Sequence, residues 1–284
     1  MPELPEVETV RRDLASSIVG LRVRAVVAHR ASVVEGERGH AALLGGLAIR
    51  EVRRHGKQLA ILAGEAGQSP EDWRAICVHL GMTGQLLCAR EREEPARMDH
   101  AHVVWSLEDS RSRPAGWLIF RDPRRFGGIW TFDSFRRLRE ERWSALGPDA
   151  IDGALAQRLV EFKTSARPVK AVLLDQAVVA GIGNIYADEA LYGAGIRPMR
   201  RMSRVTVAEL ERLASSVAAV LDRAIAARGS TLRDYRGADG SIGGFQLEHA
   251  VYGRAKLPCR VCGCTLRSRL VAQRTSVWCP ACQR

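Results

Sequence analysis

The feature that most limits how this chain can fold lies near its C-terminal end, where four cysteines stand as Cys259-x2-Cys262-x16-Cys279-x2-Cys282. Two Cys-x2-Cys knuckles at this separation can bring four thiolates onto one tetrahedral ion, and the pattern predicts a single structural Zn2+ site. A disulfide framework would spread its cysteines, whereas five of the seven here lie beyond residue 258. Cys264, just past Gly263, is the spare and is expected to face away from the metal. Cys77 and Cys88 flank an apolar segment and read as buried small hydrophobes. A closed four-sulfur site offers no open position for water, so metal-assisted hydrolysis is not the chemistry to expect.

The second constraint is charge. Forty-three Lys and Arg against 32 Asp and Glu leave +11 over 284 residues, which makes a polyanion the leading partner. A chain of this length with 46% hydrophobic residues can bury about two domain cores. No uncharged apolar run approaches the roughly 18 residues of a membrane span, and Glu3 and Glu6 stand where a signal peptide would be basic. A cytoplasmic, nucleoid-associated monomer without a membrane partner is therefore expected.

Along the chain, residues 5 to 18 read as a helix, with Pro5 in the first turn, Val7, Val10, Leu14 and Ile18 on one face, and Gly20 past the end. From Leu21 to Phe132 short β-type runs alternate with Gly, Pro and charged turns. They include Leu21 to Val27, Leu47 to Arg53, Leu59 to Leu62, His102 to Leu107 and Trp117 to Phe120, and an antiparallel sandwich or barrel fits them. Two runs meet around His55-Gly56-Lys57, which predicts Lys57 at an exposed hairpin tip. Helical spacing dominates after residue 133. It is clearest from Thr206 to Arg228, where Thr206 and Glu209 form a capping box and Leu210, Leu213, Val217, Leu221 and Ile225 form the stripe. Gly181-Ile182-Gly183-Asn184 reads as a sharp turn opening another helix, and the Gly-rich stretch 229 to 245 as a mobile loop. The fold class is α+β and multi-domain: an N-terminal helix and antiparallel β-sandwich (1–132), a helical segment (133–249) and a four-cysteine zinc finger (250–284). The last segment carries seven Lys and Arg and no acid.

The N-terminus is the chemically unusual part. The small ring of Pro2 normally permits removal of Met1, exposing a secondary amine. An α-amino group titrates at about 7.7 to 8.0, far below lysine, so a useful fraction is neutral and nucleophilic near pH 7. Condensed with an aldehyde-level carbon, a secondary amine gives a cationic iminium, an electron sink for elimination. Glu3 and Glu6 supply adjacent carboxylates for proton transfer. A helix lead-in with a capping acid is the alternative reading of the same residues.

Met1-Pro2-Glu3-Leu4-Pro5-Glu6-Val7-Glu8-Thr9-Val10-Arg11-Arg12 closely resembles the opening of the bacterial formamidopyrimidine-DNA glycosylases. Four further stretches match in order: His79 to Gly84 (HLGMTG), Asp122 to Gly127 (DPRRFG), Gly181 to Ala187 (GIGNIYA), and Tyr252-Gly253-Arg254 leading into the four cysteines. The resemblance runs from end to end and implies a helix–two-turn–helix in the helical segment. It implies that Pro2 attacks the sugar C1′ and forms a Schiff base, that Glu3 protonates the ring oxygen, that Glu6 helps position the site, and that Lys57 meets a phosphate beside the lesion. Gln58 follows Lys57 where relatives usually carry an aromatic residue. Met82, Arg124 and Phe126 match the trio that fills the hole left by a flipped nucleotide. His100, Lys170 and Asn184 join the implied DNA contacts. Arg274, between the zinc knuckles, matches an arginine that grips phosphates, and the loop from Thr231 to Phe245 corresponds to a segment that folds over the extruded base. The implied partner is double-stranded DNA containing an oxidised base, the implied activity excision of oxidised purines followed by β,δ-elimination. An endonuclease VIII-type enzyme for oxidised pyrimidines is the nearer rival, though its opening usually has Gly in place of Leu4. A catalytically silent zinc-dependent DNA-binding protein is the rival from another class, opposed by the presence of Pro2, Glu3, Glu6 and Lys57.

Overall fold

The computed structural model describes residues 1–89, 98–231 and 235–284. They pack as two compact units, one of Met1–Ala145 with Arg228–Gly243, the other of Leu146–Ala227 with Gly244–Arg284. This division cuts the chain differently from the three segments expected from sequence. The Gly-rich stretch returns to the first unit, and the cysteine module packs with the helices.

In the first unit, helix α1 (Leu4–Ile18) forms where expected. Leu4, Val7, Val10, Leu14 and Ile18 recur at helical spacing and are each at most 1% exposed. Nine strands follow: β1 (Arg22–Ala28), β2 (Val34–Glu35), β3 (Ala48–His55), β4 (Gln58–Gly64), β5 (Arg74–His79), β6 (Gln85–Ala89), β7 (Ala101–Glu108), β8 (Pro114–Arg121) and β9 (Gly128–Phe132). They form one sheet in the order β2-β9-β5-β4-β3-β1-β7-β8-β6, antiparallel except for the short β2–β9 pair. Inward side chains of β3 to β5 and of β6 to β8 share one core with the apolar stripe of α1, so the sheet folds on itself as a sandwich around that helix.

Strand β4 shows why a run without alternation can still be a strand. Leu59, Ile61 and Ala63 face the α1 core, while Ala60 and Leu62 face a second cluster. That cluster also contains Phe135 and Leu138 of helix α2 (Phe135–Glu141), Ala75 and the buried thiol Cys77. Both faces of β4 are covered, so both must be apolar.

In the second unit, α3 (Leu155–Glu161), α4 (Val169–Leu173), α5 (Asn184–Gly193) and α6 (Val207–Ala226) pack around a helical core. The sharp turn opens α5 as expected, with Gly183 at its N-cap and Gly181 at φ +108°. Thr206 and Glu209 form the capping box of α6, and the helix ends where Arg228 and Gly229 turn to positive φ. The hairpin of β10 (Arg267–Val271) and β11 (Arg274–Trp278) closes the chain between the two cysteine knuckles. No helix among the described residues is long and apolar enough to cross a membrane.

Candidate active site and nucleic-acid interface

Pro2, Glu3 and Glu6 are all buried at the start of α1. Glu3 is in extended conformation at the N-cap, and its N–H donates to Glu6 Oε2 at 2.8 Å. The other Glu6 oxygen, Oε1, accepts from Ser230 N at 2.7 Å. Gly229 lies so close that a Cβ there would stand 2.7 Å from the same oxygen. The Tyr235 hydroxyl donates to the Glu6 carbonyl at 3.2 Å. Burial pushes that phenol's pKa up, and the neighbouring Glu6 carboxylate acts in the same direction. The Glu6 carboxylate thus joins the first turn of α1 to a distant loop. With Met1 attached the Pro2 nitrogen is a tertiary amide, so nucleophilic chemistry there requires the free imino terminus.

The sequence suggests a mobile loop over 229 to 245, but its described residues are tied down. Arg228, at its start, pairs with Asp13 at 2.8 Å and Asp239 at 3.0 Å. Ala238 N donates to Asp13, and the Ala238 carbonyl accepts from Cys88 N at 2.9 Å. Tyr235 and Ala238 belong to the α1 core. Glycine here permits tight packing: a Cβ on Gly243 would overlap the Gly229 carbonyl oxygen. Residues 232–234 lie outside the described residues.

Lys57 also requires correction. The hairpin exists, with His55 paired to Gln58 and Gly56 at φ +56°, but Lys57 is only 8% exposed. Arg54 Nη1 donates to the Gly56 carbonyl at 3.0 Å and draws the turn back onto the protein. The same guanidinium, almost fully buried, donates through Nε to Glu8 at 3.1 Å. Glu8 also accepts from Arg11 and Arg12 at 2.9 and 2.8 Å. Burial raises the Glu8 carboxyl, but the bonds from Arg11 and Arg12 and the Arg54 charge outweigh it and hold the pKa at about 2. One buried arginine therefore keys the helix bearing Pro2 and Glu3 to the turn bearing Lys57. Below the hairpin, Gln58 Oε1 accepts from Arg142 Nε at 3.0 Å and from the Cys77 thiol at 3.2 Å. Arg142 stacks 3.4 Å above the Trp130 ring. A polar, aromatic-backed cluster therefore surrounds the Gln58 side chain.

Met82, His100, Arg124 and Phe126, scattered in sequence, come from three loops of one region. Met82 and Phe126 are 43% and 55% exposed. The Arg124 guanidinium sits 4.8 Å over the Phe126 ring. His100 is exposed, in left-handed conformation at φ +65°. Behind Met82, Gly81 N donates to His79 Nδ1 at 3.2 Å. Burial, with the Arg142 and Lys57 charges, lowers the His79 pKa to about 4, so its ring is neutral and able to accept that bond.

In the second unit Lys170 is fully buried rather than facing a phosphate. Its ammonium donates to Asp188 Oδ1 and Ser276 Oγ, each at 2.7 Å. Asp188 Oδ2 accepts from Val277 N at 3.0 Å. Asn184 Nδ2 donates to the Thr275 carbonyl at 3.0 Å. Glu189 accepts three backbone N–H groups, from Ala250, Val251 and Tyr252, at 2.8 to 2.9 Å. Lys170, Asn184, Asp188 and Glu189 thus latch strand β11 and the lead into the knuckles onto α4 and α5. Sequence reasoning missed the two acids. Their signal was two adjacent carboxylates in an otherwise apolar helix of a strongly basic chain. Arg274 is exposed, immediately after the Ala272-Gln273 turn, whose residues both have positive φ.

Cys259, Cys262, Cys279 and Cys282 bring their sulfurs within 4.8 Å of one another. Cys259 and Cys282 lie 3.9 Å apart, Cys262 and Cys279 3.4 Å apart. Four sulfurs about 2.3 Å from one ion stand about 3.8 Å apart in a tetrahedron, so this set can hold a metal ion. Cys264 is exposed and outside the cluster.

Comparison with known proteins agrees with this arrangement. The formamidopyrimidine-DNA glycosylase N-terminal domain matches residues 1–129, and the formamidopyrimidine-DNA glycosylase H2TH domain residues 146–236. The chain is 39% identical over 290 residues to the formamidopyrimidine-DNA glycosylase of Desulfitobacterium hafniense, and 40% identical over 297 residues to that of Ralstonia nicotianae, with 100% of both chains covered in each case. The crystal structure of the MutM (Fpg) protein from Thermus thermophilus superposes with a TM-score of 0.82 at 40% identity, covering 99% of this chain and 98% of that one. The Lactococcus lactis protein, solved in complex with DNA containing an oxidised pyrimidine, gives 0.85 at 31% identity with both chains fully covered. With its buried Pro2–Glu3 terminus, exposed apolar loop residues and four-sulfur cluster, this chain belongs to the formamidopyrimidine-DNA glycosylases, the DNA repair glycosylase/AP lyase family.

Proposed function

We propose that the protein, acting as a monomer on nucleoid DNA in the cytoplasm, excises oxidised purines such as 8-oxoguanine and formamidopyrimidines and then cleaves the strand by β,δ-elimination. With Met1 removed, the Pro2 nitrogen attacks the sugar C1′ as the damaged base leaves with the C1′–N bond. Glu3 protonates the ring oxygen, the sugar opens, and loss of the amine proton leaves an iminium. The iminium acidifies the C2′ hydrogen, so the 3′ phosphate and then the 5′ phosphate can depart. Lys57 meets a phosphate beside the lesion through its ammonium point charge. Met82 and Phe126 replace stacking lost on extrusion, and Arg124 bonds the orphaned base. His100, Asn184 and Arg274 contribute DNA contacts, and Lys170 acts by holding the latch behind Arg274. Zn2+ at the four cysteines fixes the β10–β11 hairpin and supplies no reactive water. Residues 1–132, 133–249 and 250–284 act as catalytic, helix–two-turn–helix and zinc-finger segments.

The observation that carries this reading is the buried Pro2–Glu3 pair, with Glu6 engaged on two backbone N–H groups and so holding the pair in place. The test is borohydride trapping of Met1-free protein on a duplex with 8-oxoguanine opposite cytosine, with the adduct located by peptide mass spectrometry. An adduct on Pro2 is expected. An adduct only on an oxidised-pyrimidine duplex would move the protein to the pyrimidine branch, and none on either would leave DNA binding alone.

A further inference from the structure

Asp122 is fully buried, and its polar groups between them engage residues of three loops, its own included. Oδ1 accepts from the Thr83 hydroxyl at 2.5 Å, and Oδ2 accepts from Gly127 N at 2.7 Å. Thr83 Oγ1 in turn accepts from Arg124 N at 3.2 Å, so the hydroxyl relays the carboxylate to the backbone of Arg124. Asp122 N donates to the His100 carbonyl at 3.2 Å, while its own carbonyl accepts from His102 Nε2 at 2.8 Å and from Arg125 N at 3.3 Å. The loops around 79–84, 98–102 and 122–127, which carry Met82, His100 and the Arg124–Phe126 pair, all meet this one residue. Two of them also touch directly: a Cβ on Gly81 would overlap the Phe126 carbonyl group.

From this geometry we infer that Asp122 is a positioning residue, the hub that fixes the DNA-inserting side chains relative to one another and thereby sets base extrusion and opposite-base discrimination. The inference rests on the reading that Met82, Arg124 and Phe126 enter the duplex. The chemistry demands this side chain. The two oxygens of this side chain accept from a hydroxyl and an amide N–H at once. Asparagine would turn an NH2 toward one of them, and alanine would leave both donors and the relay to Arg124 unsatisfied. A wedge inserted into a base stack must also be rigid before it enters, because ordering three loops during extrusion would oppose the insertion. The exposed tips on a fully hydrogen-bonded base match that need. Asp122 touches no part of the sugar chemistry in this scheme.

The test uses full-length, Met1-free, metal-loaded protein in single-turnover reactions. The substrates are 8-oxoguanine opposite cytosine, 8-oxoguanine opposite adenine, and a ready-made abasic site on a single strand. In Asp122→Asn the duplex excision rate should fall about 10- to 100-fold, the scale of an ångström-sized misplacement. The ratio of duplex to single-strand activity and the cytosine-over-adenine preference should fall with it. A merely structural loss would lower all three substrates together. Thr83→Val should reproduce the pattern and Thr83→Ser restore it, which keeps the question open to test if Asp122→Asn fails to fold. Arg124→Ala separates the two layers of argument. If it changes the opposite-base ratio while Asp122→Asn and Thr83→Val, both folded, do not, the hub is refuted and the insertion reading survives. If Arg124→Ala leaves the ratio unchanged, both fall.

Discussion

Replacing Glu8 by Gln tests whether the helix that presents Pro2 is keyed to the Lys57 hairpin by charge. Glu8 is 6% exposed and accepts from Arg11, Arg12 and Arg54, the last of them almost fully buried itself. Its carboxyl sits at about 2 against an ordinary 4.5, which corresponds to about 3 kcal/mol of stability at neutral pH. Gln keeps the shape and part of the hydrogen bonding, so Glu8→Gln should cost about 2–3 kcal/mol at pH 7. The sign of the pH dependence follows from the lowered pKa. The folded state binds its proton less readily than the unfolded state, so the stabilisation is complete above about pH 5 and disappears as the pH falls toward 2. At pH 3.5 the wild type should have lost about 1.4 kcal/mol of it, and the gap to the variant should have narrowed by that amount. Urea unfolding followed by tryptophan fluorescence reads the relevant unit, because five of the six tryptophans lie in Met1–Ala145. A gap of the same size at both pH values, or one below about 0.5 kcal/mol at pH 7, would refute the assignment of the shift to this arginine cluster.

Gly229→Ala should lower both stability and Pro2 trapping, since φ +80° alone costs a side chain about 1–2 kcal/mol and the new Cβ displaces Glu6 Oε1; normal melting and trapping would show that Glu6 is not held by this loop. Lys170→Met should destabilise the second unit by about 3–5 kcal/mol by leaving Asp188 buried without its cation. It should leave the salt slope of DNA binding unchanged in whatever fraction stays folded, whereas Arg274→Ala should reduce that slope by about 1. The opposite pattern would return Lys170 to the phosphates. Chelation with verified metal loss, or Cys279→Ser, should weaken DNA affinity and loosen the small core of Val251, Leu266 and Val277; unchanged affinity in titrations of metal-free protein would rule out a metal-organised hairpin.

The features readable from sequence were those whose physics is local. Helices α1 and α6 announce themselves because an apolar stripe, a cap and a stop signal all fall within one stretch of chain. The four-sulfur cluster is equally local, since two knuckles each bring a pair of thiolates together before any tertiary packing. The Gly56-Lys57 hairpin follows from its turn residues. Strands β5, β6 and β9 were less legible, because residues such as Ile76 and Cys77 on β5 serve two cores on opposite faces and show no alternation.

Tertiary structure alone decided what the charged and glycine residues do. Lys57 reads in sequence as an exposed cation and Lys170 as an implied phosphate contact, yet one is drawn in by the Arg54 contact to its turn and the other is paired with an aspartate 18 residues away. Gly229 and Gly243 suggest freedom, but their missing side chains make room for Glu6 and for each other. Asp122 gains its meaning only when Thr83, His100 and Gly127 converge on it. Sequence determined helices α1 and α6 and the four-cysteine knuckles because short-range spacing encodes them. The fate of each buried charge depended on partners supplied from far along the chain, since an ion leaves water only where the completed fold has assembled donors or acceptors to replace it.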